Sequence, residues 1–191
     1  MENSFDNIVR ETNRRLFRAT SVKLSTQAVE VAQKVFDEES VKLRSVANGS
    51  VTITYQYLSQ TFVDAAYANG NAIDLKPADG PLIGIDKIFT TIRNRHLLIE
   101  HPAILLAAAW PSASDDAYLL NFITSLVQSI DLASKAACLY YPYIFLNDAG
   151  VGQSPFPLYG DGESLPRMKA IAQKYDPDGV FQNLASGAFK L

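Results

Sequence analysis

Apolar positions recur with a two-residue period in some segments of this chain and with a helical period in others. The clearest two-residue alternation lies at 50–58, where Val51, Ile53, Tyr55 and Tyr57 alternate with polar side chains. This pattern predicts a strand with one face on the core. Further strands are predicted at 15–24, 81–85, 103–110 and 141–146, and the third of these is the continuous apolar run of a strand covered on both faces.

The helical period marks two long segments. Residues 25–43 place apolar side chains three and four apart behind Ser25 or Thr26, either of which can cap a helix, and residues 114–137 repeat the pattern. Shorter helices are predicted at 60–68 and 165–174. Without the small elements the order is βαββαβ plus a C-terminal helix. It predicts an α+β fold with a ferredoxin-like core, in which two helices cover one face of a mainly antiparallel sheet.

The length of 191 residues predicts one domain. Residues 1–14 are polar and predict an N-terminal arm, 147–163 are rich in glycine and proline and predict a loop, and 164–191 form the C-terminal helix and tail. Residues 86–102 fit either a helix or a strand.

Composition and charge argue against several classes of function. The net charge is −3 and no run of lysine and arginine stands out, so nucleic-acid binding is not expected. Cys138 is the only cysteine, which rules out an intrachain disulfide, and the apolar stretch 103–110 is too short to cross a bilayer. The N-terminus is polar and acidic, unlike a secretory signal. We expect a soluble, cytoplasmic protein.

The two histidines do not form a recognisable metal site. His96 and His101 are five residues apart beside Glu100, whereas a helical zinc motif needs a spacing of four, and Pro102 opposes a continuing helix. No metal is predicted. One histidine acting as an acid or base stays an alternative, because its pKa suits neutral pH.

Three runs carry a more specific signal. The first combines Tyr159-Gly160 with KYDPDGVFQ at 174–182 and GAFKL at 187–191; the others are YIFLNDA at 143–149 and NGNAIDL at 69–75 with DGPL at 79–82. Together they resemble the substrate-binding half of fungal FAD-linked oxidoreductases of the berberine-bridge, vanillyl-alcohol-oxidase-like type. The resemblance extends over nearly the whole chain, and relative to that family residues 84–102 look like an insertion.

The resemblance implies a substrate-domain sheet laid over a flavin that a separate N-terminal domain holds. That domain is not part of this sequence, and Gly150-Val151-Gly152 lies in a proline-rich loop instead of at a helix start. The chain itself is therefore predicted to bind no cofactor. The alternative is that a missing domain or a partner supplies FAD.

Candidate catalytic residues are Tyr55, Tyr57, Asn147 and Asp148. The two tyrosines belong to a strand that faces substrate in the family, and their phenols can donate protons; core packing is the competing explanation. Asn147 and Asp148 end an apolar strand, where loops deliver polar groups, although both are also turn formers. The family commonly has tyrosine where this chain has Asp148. Candidate substrate-binding residues are Tyr143, Phe145, Trp110 and Phe156.

Three functions remain open. The first is a flavin-independent enzyme of fungal secondary metabolism that binds an apolar, unsaturated molecule and promotes cyclisation, including Diels–Alder or related pericyclic closure, by positioning it. The second is the substrate-binding half of an FAD-dependent oxidoreductase, and the third is a non-catalytic binding protein of the same pathway. A bare sheet face would be a large apolar patch, so a homodimer is expected to cover it.

The missing phosphate-binding loop predicts that the purified 191-residue chain is colourless. Isothermal titration with FAD should give weak binding or none. Sub-micromolar affinity for FAD would contradict this prediction.

Overall fold

A computed structural model describes residues 14–46, 49–83, 104–187 and 189–191. The strands are β1 Arg14–Thr20, β2 Val22–Lys23, β3 Ser50–Thr54, β4 Tyr57–Leu58, β5 Leu82–Ile83 and β6 Ile104–Trp110. The helices are α1 Thr26–Ser40, α2 Gln60–Asn69, α3 Asp116–Ala136, α4 Ser164–Tyr175 and α5 Val180–Asn183. The predicted α+β class is confirmed. The predicted arm and the segment 84–102, with both histidines, lie outside the described residues except for Arg14.

The strands form two small antiparallel sheets. In the first, β6 lies between β1 and β3, so that Ala107 is opposite Phe17 on one side and Thr52 on the other. In the second, β5 lies between β2 and β4, and an isolated bridge joins Val22 of β2 to Tyr140. Because β1 leads directly into β2, one continuous stretch of chain contributes an edge strand to each sheet.

One face of the first sheet carries the main core. Leu106, Ala108 and Trp110 of β6 are buried, whereas Ala107 and Ala109 between them are only half-buried. The buried side packs against both α1 and α3, as predicted. Their core residues are Ala28, Ala32 and Phe36 of α1 and Leu119, Phe122, Ile123, Leu126, Val127 and Ile130 of α3.

Local capping explains where the first helix begins. Ser25 is in an extended conformation, and its hydroxyl accepts a hydrogen bond from the Ala28 amide at 3.0 Å, which satisfies one of the free N–H groups of the first turn. The short helix α2 begins in the same way, with Ser59 accepting from the Phe62 amide at 3.1 Å. Within the described part of the chain, no helix is long and apolar enough to cross a membrane.

Three strand predictions were wrong. Residues 15–24 form β1 and β2, which belong to different sheets. Residues 50–58 form β3 and β4 in different sheets, because the chain leaves the first ladder at Tyr55 and Gln56. Residues 141–146 are not a strand. Pro142 has no N–H to give a ladder, and the Tyr143 amide turns back to donate to the Tyr141 carbonyl at 2.8 Å, which closes a three-residue turn.

The loop after residue 147 protects the edge of β1. The Gln153 side-chain amide donates to the Ala19 carbonyl at 2.7 Å and accepts from the Ala19 amide at 3.0 Å, so it substitutes for a neighbouring strand. The same Gln153 oxygen accepts from the Gly150 amide at 3.0 Å. This pairing satisfies backbone groups that an exposed edge strand would offer to other chains.

Gly150 has no room for a side chain, because an added Cβ would lie 1.9 Å from the Phe17 carbonyl oxygen and 2.1 Å from Arg18 Nη1. Gly150→Ala should therefore push the loop off β1 and cost roughly 1–3 kcal/mol of unfolding free energy. Urea denaturation measures this cost. Val151→Ala is the matched control, because Val151 is 81% exposed. An unchanged midpoint for Gly150→Ala would show that the loop does not pack there.

Candidate functional site

The side of the first sheet away from the helices is the candidate site, and we call it the open face. It includes Phe17 of β1, Thr52 of β3 and Ala107 and Ala109 of β6, with Arg15 and Ser50 opposite Ala109 at one end, since residues opposite each other in an antiparallel ladder project to the same side. Phe17 is 42% exposed. The Phe17 ring and the two alanine methyl groups make an apolar area bordered by Arg15, Ser50 and Thr52, and such an area can support an apolar molecule.

Tyr55 does not lie on the open face, although the sequence analysis proposed that it would face substrate. It packs against the main core, and its hydroxyl donates to Gln33 Oε1 of α1 at 3.1 Å. Burial, with a smaller effect from the Asp37 carboxylate, raises the pKa of the Tyr55 phenol far above its ordinary value. Tyr57 lies in the second sheet and is partly exposed. The competing explanation, core packing with the hydroxyl at the edge, describes Tyr55.

Asn147 and Asp148 lie in a 3-10 turn, Leu146–Asp148, that packs beside β1. Asn147 is exposed and Asp148 is half-buried, and the Asp148 amide donates to the Phe145 carbonyl at 3.1 Å. The turn therefore presents an amide and a carboxylate near the edge strand that carries Phe17. A catalytic role for either side chain stays a prediction.

Three of the predicted substrate-binding residues pack in a second core. Tyr143 and Tyr159 are both buried with ring centroids 5.6 Å apart, and Phe156 meets Tyr159 edge-on at 6.1 Å. Phe145 is half-buried and touches both this cluster and the main core. The Tyr159 hydroxyl donates to the Ile144 carbonyl at 2.8 Å, and burial raises the pKa of Tyr159 to about 12. These rings stabilise the segment leading to Asn147.

Trp110, the fourth predicted substrate-binding residue, faces the helices. It is buried, and its Nε1 donates to Asp116 Oδ1 of α3 at 2.8 Å. Arg14 forms an ion pair with the same carboxylate. Together these contacts hold the pKa of Asp116 below its usual value in spite of partial desolvation, which acts in the opposite direction. The indole thus joins the end of β6 to the start of α3.

A small polar cavity, which the sequence did not reveal, lies beside the second core. Its lining includes Asp74, Asp79, Tyr141, Gly160 and Asp161. The Tyr141 hydroxyl donates to Asp79 Oδ2 at 2.8 Å, and burial together with that carboxylate raises the Tyr141 pKa. The centre of a water molecule can occupy about 10 Å³ of this cavity, so the cavity has room for roughly one water molecule. A small organic substrate does not fit.

Three residues that line this cavity share a left-handed backbone conformation, which their residue types could have indicated. Asp74, Gly160 and Asp161 have φ of 56°, 58° and 56°, and a Cβ on Gly160 would lie 2.8 Å from Asp74 Oδ2. Aspartate and glycine tolerate this left-handed region better than other residues, so the segments around Asp74 and around Gly160 are recognisable from the sequence as turns. That these two turns lie side by side depends on contacts between distant parts of the chain. Among the described residues, no three His, Cys, Asp or Glu side chains are placed to hold a metal ion.

The described glycine loop does not fit the phosphates of FAD. Phosphate cradles use free backbone N–H groups at a helix start. Here the Gly150 amide is already bonded to Gln153, and the Phe17 carbonyl oxygen lies only 1.9 Å from where a Cβ on Gly150 would be, so its partial negative charge would repel a phosphate there. Gly152 is followed by loop, not by a helix. This loop can therefore not be assigned to the FAD phosphates.

Comparison with known proteins supplies the biochemical context. FAD-dependent monooxygenase prx3 of Penicillium roqueforti is 32% identical over 183 residues, which cover 93% of this chain and 32% of the relative. The chain is homologous to part of a fungal FAD-dependent monooxygenase. FAD-dependent monooxygenase sdcF of Emericella nidulans is 32% identical over 59% of the chain and 21% of the relative. The bifunctional solanapyrone synthase of Alternaria solani is 25% identical over 92% of the chain and 30% of the relative.

The chain spans about a third of the length of these curated relatives. Their names support a general likeness to fungal FAD-dependent oxidoreductases of secondary metabolism; the berberine-bridge type stays a prediction. No family model matches the sequence, and no solved structure matches it.

The position of Trp110 predicts a structural role. Trp110→Phe removes the indole donor to Asp116 and part of a buried ring, which should cost about 1–3 kcal/mol of unfolding free energy. Turnover per folded molecule should stay unchanged. Urea denaturation and an activity assay at matched folded concentration test both parts, with Leu132→Ala on the exposed side of α3 as the control. A fall in activity at unchanged stability would restore Trp110 as a binding residue.

Proposed function

We propose that this chain is the substrate-facing part of a fungal FAD-dependent oxidoreductase of secondary metabolism, with the flavin held by polypeptide outside the described residues. The observation that carries the proposal is the open face. It lies on the side of the first sheet that the helices leave uncovered, and the chain is homologous to about a third of the length of an FAD-dependent monooxygenase.

The chemistry assigned to this chain is binding and orientation. The Phe17 ring and the methyl groups of Ala107 and Ala109 supply apolar contact to an unsaturated substrate. The Thr52 hydroxyl and the Asn147 amide can direct its polar groups, since each can donate and accept hydrogen bonds. When bound, a flavin supplies the hydride acceptor that no side chain provides.

A second candidate is cyclisation of the substrate without flavin. It is favoured by one specific observation, the similarity to a relative whose name is a bifunctional synthase. Holding an extended molecule in a folded conformation is sufficient to accelerate ring closure. In that case a second copy of the chain would cover the open face, giving a homodimer.

Deleting the gene in the producing fungus distinguishes the two candidates. The accumulated precursor should differ in elemental composition from the product of the intact strain, because oxidation removes hydrogen or adds oxygen. High-resolution mass spectrometry of both extracts measures this difference. A precursor isomeric with the product would contradict the oxidoreductase proposal and support cyclisation.

Phe17→Ser tests the open face within the same strain. The substitution removes the one large exposed ring of that face, so we expect product formation to fall about tenfold or more, the effect of losing roughly 1.5 kcal/mol or more of aromatic contact. Because Phe17 is largely outside the core, the unfolding midpoint should change little. Lys34→Ala, an exposed change on α1, is the control. Full activity of Phe17→Ser would place the substrate elsewhere.

A further inference from the structure

Arg18 is a buried cation near the end of β1. It lies opposite Leu106, so it projects to the helix side of the first sheet, away from the open face. Only 5% of the residue is exposed. Among the described residues no aspartate or glutamate forms an ion pair with it, although buried arginines are usually paired. The Asp131 carboxylate of α3 instead accepts a hydrogen bond from the Thr20 hydroxyl.

The hydrogen bonds of this guanidinium are incomplete. Nη2 donates to Thr124 Oγ1 of α3 at 3.5 Å, which is long for a hydrogen bond, and Nη1 is buried without a partner in the described part of the chain. Burial lowers the pKa of Arg18 from its ordinary value, but an arginine stays protonated at neutral pH. A charged group that loses water without gaining an acceptor is costly, so this position favours an added anion.

A loop covers the guanidinium, and we call residues 147–153 the Gly150 loop. Nη1 of Arg18 lies 2.1 Å from where a Cβ on Gly150 would be, and Nη2 lies 3.9 Å from the corresponding point on Gly152. The Gln153 side chain holds the loop on β1 through two hydrogen bonds with the Ala19 main chain and one from the Gly150 amide. Because the loop covers Nη1, an anion can reach this atom only when these bonds open.

The surroundings of Arg18 favour a small monoanion. A single guanidinium offers one positive charge, and its planar N–H edge matches the two oxygens of a carboxylate. The Phe17 carbonyl oxygen beside Gly150 would repel a phosphate, which carries more negative charge. On the other side α3 contacts the guanidinium through Thr124, which limits the size of a group that can enter.

We propose that Arg18 is a binding site for the carboxylate of a small organic acid, and that the Gly150 loop opens to admit it. The acid binds the open form of the loop and therefore raises the population of that form. Asn147 and Asp148 belong to the same loop, so binding at Arg18 also moves the turn beside the open face. The site is distinct from the open face and does not depend on the proposed function.

The direct test titrates the 191-residue chain with sodium benzoate and follows the urea midpoint of unfolding, with sodium chloride at equal ionic strength as the reference. A carboxylate that binds the folded chain should raise the midpoint. Arg18→Met removes the charge but keeps an unbranched side chain, so its midpoint should respond to benzoate no more than to chloride. Arg14→Met should respond like the wild type, because Arg14 is an exposed arginine of the same strand.

Gln153→Ala tests whether the loop must open. Loss of the Gln153 hydrogen bonds raises the open fraction, so the affinity for benzoate should rise about threefold or more, although the variant itself is less stable. The shift of the Gly150 amide signal during an NMR titration measures this affinity. Gln128→Ala, at an exposed glutamine of α3, should leave the affinity unchanged.

Hydrogen exchange tests the opening without any variant. The Ala19 and Gly150 amides both donate to Gln153 Oε1, so they should exchange faster when benzoate is bound, by about tenfold near saturation. Core amides of α3 should exchange more slowly, because they open mainly by global unfolding. Opposite responses in the two places separate opening of the loop from general stabilisation.

Three results would overturn the proposal. They are equal effects of benzoate and chloride on the wild type, equal responses of the wild type and Arg18→Met, and slower exchange of the Ala19 and Gly150 amides with benzoate bound. If Arg18→Met does not fold, Arg18→Lys takes its place. Lysine keeps the charge but lacks the planar fork, so its affinity for benzoate should be weaker by about tenfold, and an unchanged affinity would contradict the site.

Discussion

The alternation of burial along β6 is the constraint on which the rest of the structure depends. β6 is bonded to β1 and β3 on its two edges, so its side chains can leave the sheet only on one face or the other. Leu106, Ala108 and Trp110 are buried under α1 and α3, which forces Ala107 and Ala109 onto the opposite side. Because the main core packs on one face of the first sheet, the helices leave the opposite face uncovered, and a substrate can lie there.

Elements whose signal is local were predictable. The helical period behind Ser25 and the apolar run at 103–110 required no distant information, and both formed where expected. The break within residues 50–58 was not predictable, because the two-residue period continues unchanged while the chain passes from one ladder to another. The strand predicted at 141–146 was wrong, and Pro142 was a local sign against it. The strand propensity of the neighbouring residues outweighed that sign in the prediction.

The candidate site was less predictable, because an aromatic side chain can form either the wall of a pocket or part of a core, and the residue type does not distinguish the two. Tyr55, Tyr143 and Trp110 are all in cores. Tyr55 and Tyr143 contact Gln33 and Tyr159, 22 and 16 residues away, whereas Trp110 bonds to Asp116 only six residues along the chain. Phe17 was not singled out, because it lies in a loosely alternating strand. The small polar cavity was not predicted either, because Asp74 and Asp161, which line it, are 87 residues apart.

We propose that substrate binds to the open face, and three consecutive alanines allow a direct measurement. Ala107 and Ala109 face outward, whereas Ala108 between them is buried under the helices. Methyl NMR of alanine-labelled protein, titrated with the precursor that accumulates in the deletion strain, reports on both faces at once. If substrate binds there, we expect saturable shifts at Ala107 and Ala109 that clearly exceed the shift at Ala108. Shifts that are largest at Ala108, or absent from all three while other alanines respond, would contradict it.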